Sequence, residues 1–160
     1  MTNAYLLLDN IRSVHNTGSI FRTADTLGIK KIFCGGTTPD PIDRFGRKRT
    51  DFGKVALGAE NSIKWEHVAD LPIFIKKFKK ENPDFKVIAL EQSKTSVDYK
   101  SIHIPETESA LIILGNEVDG VHGDILKLCD IVAEIPMKGD KESLNVSVAA
   151  GVFLFRLLDR

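Results

Sequence analysis

The amino-acid sequence predicts an α/β domain, a single sheet of mostly parallel strands flanked by helices. Three observations predict it. Short runs rich in Val, Ile and Leu alternate along the chain with segments whose apolar residues recur every three or four positions. One run, Ala110 to Leu114, is apolar throughout, which calls for burial on both faces and hence for a central strand. The 160 residues contain no internal repeat, low-complexity tract or long linker, so one domain over 1–160 is expected.

The first strand is expected at Ala4 to Asp9. A helix follows in which Ile20, Phe21, Ala24 and Leu27 share one face and Gly28 ends the run. Lys31 to Cys34 and Ile63 to Glu66 read as the next strands. Between Leu71 and Pro83, Ile73, Phe74 and Phe78 outline a second helix. Strands at Lys86 to Glu91, Ala110 to Leu114 and Ile131 to Ile135 complete the sheet. The last element is a helix starting near Ser143, a plausible N-cap, with Val146, Ala149, Ala150, Phe153, Leu154 and Leu157 along one side.

Composition narrows the function classes. Hydrophobic residues make up 42% and charged residues 28%, as in ordinary globular proteins. Lys plus Arg and Asp plus Glu are 22 each, so any contact with nucleic acid must come from a local patch. The apolar run Ala4 to Leu8 is too short for a signal-peptide core, and no stretch approaches the roughly 20 apolar residues of a membrane span, so a cytoplasmic location is expected. Cys34 and Cys129 show no metal-site or disulfide spacing and read as small buried hydrophobes. His15, His67, His103 and His122 are scattered, which suggests surface or structural roles and no metal site. Fingerprints for dinucleotides, P-loop nucleotides, zinc proteases and serine hydrolases are missing.

Three polar, glycine-bearing segments fall where an open α/β sheet places its ligands, at the carboxyl ends of strands. Gly115, Asn116 and Glu117 follow the central strand, where a glycine lets the backbone approach a ligand and the side chains supply an amide and a carboxylate. Met137 to Asn145 is a loop that runs into the last helix, whose first N–H groups are open to a ligand. Asn16 and Arg22 bracket the first turns of the first helix. Each segment alone also has an ordinary reading: a βα turn, a capped helix start, a solvated arginine.

Taken jointly, LDNIRSVHNTGSIFRTADTLGI (8–29), LIILGNEVDGV (111–121) and IPMKGDKESLNVSVAAGV (135–152) resemble the three motifs of the SpoU/TrmH family, a branch of the knotted SPOUT methyltransferases. GKVALGAENSIKWE (53–66) follows a weaker pattern of the same family, and no motif position departs. The resemblance implies a C-terminal deep trefoil knot, a homodimer, and S-adenosylmethionine as methyl donor to an RNA ribose 2′-hydroxyl. Val148 and Val152 join Val146, Phe153 and Leu154 to spread apolar residues around more than one narrow stripe of the last helix, which lends the dimer weak support and would equally suit burial within one chain.

Carried over by motif position, Leu90, Gly115, Asn116, Ile135, Met137, Ser143 and Leu144 would line the cofactor pocket. Arg22 would be catalytic, with Asn16, Glu117 and Asn145 completing the set. A guanidinium is a poor base, so Arg22 either accepts a proton with help from Asn16 and a phosphate or stabilises charge developing on the oxygen. The second role is favoured. Glu117 and Asn145 would hold Asn16, Arg22 or the ribose in place.

Arg44, Phe45, Arg47, Lys48, Arg49 and Lys54 form the densest basic cluster, after Gly35, Gly36, Pro39 and Pro41. A flexible cationic loop with an aromatic suits an RNA backbone and a stacked base, and equally a solvated loop. Lys76, Lys77, Lys79 and Lys80 read as the polar face of a helix, whereas Lys138 and Lys141 would reach phosphate. With no appended RNA-binding domain expected, tRNA is the favoured substrate and rRNA the alternative. A catalytically idle RNA- or nucleotide-binding module is the reading from a different class.

Overall fold

A computed structural model of the chain describes residues 3–105 and 107–158. Its strands are β1 (Ala4–Asp9), β2 (Lys31–Gly35), β3 (Lys64–Val68), β4 (Phe85–Leu90), β5 (Val97–Asp98), β6 (Ser109–Gly115) and β7 (Ile131–Glu134). They form one sheet in the order β3-β2-β1-β6-β4-β7-β5, and every pairing is parallel. The helices are α1 (Val14–Leu27), α2 (Thr50–Ala56), α3 (Ala59–Ser62), α4 (Leu71–Glu81), α5 (Gly123–Leu126) and α6 (Val146–Leu157).

Strand side chains alternate between the two faces, and each face has its own core. Leu6, Leu8, Ile112 and Leu114 pack with Phe21 of α1, Phe52 of α2 and Phe153 of α6. Leu7, Phe33, Leu111 and Ile113 pack on the other side with Leu71, Ile75 and Phe78 of α4 and Ile125 of α5. β6 lies between β1 and β4, and six of its seven residues are buried, as expected of an apolar run covered on both faces.

The differences from expectation have local causes. The inward face of α4 is Leu71, Ile75 and Phe78, spaced four and three apart, while Ile73 is 66% exposed. The last helix begins at Val146, so Asn145 rather than Ser143 is its N-cap, and Asn145 Oδ1 accepts the Ser147 N–H at 2.9 Å. Ser143 and Leu144 stay in the preceding loop. The short elements α2, α3, α5 and β5 had no periodic signal, since none completes two helical turns or a strand of useful length. Cys34 is buried, but Cys129 is only half-buried, its thiol donating to the Ile125 carbonyl at 3.3 Å. Among the described residues no helix is long and apolar enough to cross a membrane.

Two caps fix where α1 enters and leaves. Ser13 Oγ accepts the Asn16 N–H at 3.1 Å. Gly28, at φ 72°, takes the left-handed turn that ends the helix. The entry cap places Asn16 in the first turn, facing the loop that follows β6.

Candidate active site

A cleft of about 450 Å³ opens at the carboxyl ends of β4, β6 and β7. Leu90, Gly115, Asn116, Ile135, Met137, Ser143 and Leu144 all line it, and so do Glu117 and Asn145. Glu91, Gln92, Asp119 and Glu134 also line it and were not singled out from the sequence: Glu91, Gln92 and Glu134 follow or end strands outside the motifs, and Asp119 lies within the second motif without a role assigned to it. The walls are therefore apolar side chains from three strands and one loop, with a carboxylate-rich rim. Gln92 ties this rim to the loop before α6 by donating to the Glu142 carbonyl at 2.6 Å.

Gly115, which lines the cleft as expected, is also required by the fold itself. A Cβ there would overlap the main chain of Gly120 and Val121, so the glycine makes room for the chain's own turn. That turn closes through Asn116 N–H to the Gly120 carbonyl, 3.2 Å, and the reverse bond, 3.1 Å. Asn116 Oδ1 accepts the N–H groups of Val118 and Asp119 at 2.9 and 2.8 Å, so its side-chain oxygen is committed inside the turn. Glu91 anchors the far end, accepting the Val121 N–H at 2.7 Å beside Gly120, whose φ of 67° and lack of a Cβ leave room for the carboxylate.

Glu117 projects from this turn to the start of α1. Its carboxylate accepts the N–H of Arg12 at 3.0 Å, that of Ser13 at 3.2 Å and the side-chain amide of Asn16 at 2.7 Å. Partial burial pushes the Glu117 carboxyl up, but the bonds from Arg12, Asn16, its own amide and Ser13 outweigh this and hold it below its ordinary value. Asn16 is buried, and its Oδ1 accepts from Asn145 Nδ2 at 3.1 Å. The three polar segments thus meet in one chain of bonds, Glu117 to Asn16 to Asn145. Asn16 spends both ends of its amide on these neighbours and does not line the cleft.

Arg22 is not brought to this site. It lies further along α1 in a separate groove with His15, Ser19, Thr23, Lys54, Leu57 and Phe155. Its guanidinium makes no hydrogen bond to a described residue. Asn16 and Arg22 are six positions apart, and at 3.6 residues per turn that spacing turns Arg22 onto another side of the helix.

The predicted RNA contacts fall in two places. Lys138 and Lys141 are exposed in the loop before α6. The basic segment after β2, expected as an open loop, forms a hydrogen-bonded hairpin bridged between Ile42 and Lys48. Arg47 pairs with Asp43 and Arg49 with Asp51, both at 2.8 Å, while Lys48 donates to Asn61 at 2.8 Å and Arg44 has no carboxylate partner among the described residues. Lys79 leaves the polar face of α4 to bind Asp130 and the Leu128 carbonyl.

A wholly parallel sheet with a cleft outside its strand ends, bounded by a turn and a loop that close on α1, defines an α/β domain of the ligand-binding type. The SpoU rRNA Methylase family matches residues 3–155, and the chain belongs to that family. It is 33% identical over 149 residues to the 23S rRNA (guanosine-2′-O-)-methyltransferase RlmB of Neisseria meningitidis, covering 93% of this chain and 55% of that protein. It is 30% identical over 149 residues to the tRNA (guanosine(18)-2′-O)-methyltransferase of Aquifex aeolicus, covering 92% of this chain and 64% of that one. The AdoMet-bound rRNA methyltransferase from Sinorhizobium meliloti superposes with a TM-score of 0.84 at 28% identity, covering 96% of this chain and 55% of that chain. The chain thus spans less than two thirds of the length of these relatives.

Proposed function

We propose that this protein transfers a methyl group from S-adenosylmethionine to a ribose 2′-hydroxyl of RNA. The observation that carries the reading is the single cleft holding Leu90, Gly115, Ile135, Met137, Ser143 and Leu144 beside Glu117 and Asn145, in a chain whose relatives are named for this reaction on rRNA and tRNA. The residues fit the cofactor. The volume lies within the range of about 300–1,000 Å³ usual for such ligands. Leu90, Ile135, Met137 and Leu144 offer flat apolar contact to a base, and Glu91, Asp119 and Glu134 complement a cationic sulfonium and ammonium. When bound, the cofactor would supply the electrophilic methyl group.

The chain's own residues supply position and charge. The Glu117–Asn16–Asn145 network fixes the rim of the cleft relative to α1, so that Glu117 and Asn145 meet a substrate already oriented. Arg22 acts by stabilising negative charge on the 2′-oxygen as the hydroxyl proton passes to solvent water and the oxygen takes the methyl group. Because Arg22 lies in its own groove, it serves the cleft of a second copy. The face around it supports a homodimer: Leu57 is 63% exposed, and Val148, Val152 and Phe155, spaced four and three apart on α6, are 51%, 39% and 40% exposed. The insertion of β7 between β4 and β5, inside the β4-to-β6 connection, supports the trefoil threading.

Incubation with methyl-labelled cofactor and either total tRNA or rRNA, followed by mapping of 2′-O-methylated nucleotides, tests the reading and separates the two RNA classes. Label on a base, on protein, or on neither RNA would overturn it.

A further inference from the structure

The hairpin between β2 and α2 presents one aromatic ring to solvent on a built support. Asp43 organises it: its N–H donates to the Arg47 carbonyl at 2.8 Å and its carbonyl accepts from Gly46 at 2.9 Å. Asp43 Oδ1 accepts the N–H groups of Phe45 and Arg47 at 2.8 and 3.0 Å, and Oδ2 binds the Arg47 guanidinium at 2.8 Å. Pro41 closes the base of the hairpin by accepting the Arg49 N–H at 3.0 Å. The tip residue, Phe45, is 65% exposed and belongs to neither core cluster.

Two guanidiniums lie on that ring, Arg44 at 4.7 Å and Arg47 at 5.0 Å from its centroid. They are not equivalent. Arg47 is tethered to Asp43, whereas Arg44 has no carboxylate partner among the described residues. Lys48 contributes a further positive charge at the base of the hairpin, its side chain donating to the neutral Asn61 amide and to no carboxylate among the described residues. A fold gains nothing by fixing a lone phenylalanine in water. A ring bounded by cations suits a ligand that is a flat π-system joined to an anion, and an unpaired nucleotide has that composition.

We propose that this hairpin docks one unpaired RNA base, stacked on Phe45. Arg44 gives up its place on the ring and takes the flanking phosphate, and Arg47 stays on the ring under the hold of Asp43. The inference rests on the RNA reading above and adds to it a preference for single-stranded over duplex RNA, set outside the cofactor cleft.

The test uses the full chain and fluorescence anisotropy with a short labelled oligouridylate and a short labelled RNA duplex. Phe45→Leu is expected to weaken single-strand binding about five-fold or more, Phe45→Trp to preserve it, and neither to change duplex binding. The melting temperature should be the same for all three proteins, because Phe45 is not in the core. Equal single-strand binding by wild type and Phe45→Leu, or equal losses on single strand and duplex, would overturn the stacking role while leaving the RNA reading intact. Wild-type binding to neither RNA would remove both.

Discussion

Asn16 donates its side-chain N–H to Glu117 Oε1 at 2.7 Å, joining the first turn of α1 to the turn after β6 across 101 positions of sequence. The same amide accepts from Asn145 at 3.1 Å. A buried amide with opposite demands at its two ends is selective: one neighbour must accept and the other must donate. The geometry of the cleft rim follows from that choice, and it makes the bond open to direct test.

Asn16→Asp keeps the shape but sets a carboxylate against Glu117. It should cost more stability than Asn16→Ala, in which the partners lose a bond of about 1 kcal/mol but meet no like charge. Urea unfolding of both variants at neutral pH checks the order.

Glu117→Gln removes the anion that gathers the N–H groups of Arg12 and Ser13. A carboxyl held below its ordinary value stabilises the fold above its unfolded pKa, and that contribution is lost as pH falls through the folded value. The wild type should therefore be more stable than Glu117→Gln near neutral pH, by a margin that solvent screening keeps small and that closes as the carboxyl is protonated in acid. Equilibrium unfolding of both proteins across that range measures it.

Gly115→Ala should destabilise the fold by at least about 2 kcal/mol and abolish cofactor binding, since the new methyl overlaps backbone at Gly120 and Val121 that has no rotamer to yield. Gly123→Ala meets nothing within 4 Å and serves as the control. Thermal melting and calorimetry with S-adenosylmethionine give both readouts.

Arg22→Ala should lower methyl transfer by at least about a hundred-fold with cofactor affinity nearly unchanged, because its groove is separate from the cleft. Mixed dimers with a Gly115→Ala protomer, made by co-expression, should recover part of the activity if Arg22 serves the partner's cleft. Absence of recovery would place its action within one copy.

Both cysteines should resist thiol reagents in the native state. Burial, with the nearby Asp130 charge, pushes the Cys129 thiol up to about 12, and burial together with Asp40 raises Cys34 further. Labelling of buried Cys34 by a maleimide at pH 7 should proceed at the rate of unfolding, and half-buried Cys129 should label directly but more slowly than a free thiol.

The long elements were legible in the sequence because their signals repeat. β1 was placed to the residue, and Gly28 marked the end of α1 through the left-handed turn that an achiral residue makes easily. The motif residues around Gly115 and in the loop before α6 were legible too, through resemblance. Ile73 was misplaced because three- and four-residue spacings admit two neighbouring faces, and only packing against the sheet selects Leu71, Ile75 and Phe78.

What the sequence by itself determined, then, is the succession of the long strands and helices along the chain, the apolar centre of the sheet at β6, and the identity of the polar groups set at strand ends. Those depend on local periodicity and residue chemistry. Tertiary structure alone decided that Asn16, Glu117 and Asn145 share one bond network while Arg22 lies in another groove, that Gly115 accommodates a turn of its own chain, and that Asp43 turns a basic segment into a hairpin bearing Phe45. Each of these depends on which groups arrive within about 3 Å of one another, and chain spacing does not encode that distance until the sheet has fixed the order of its strands.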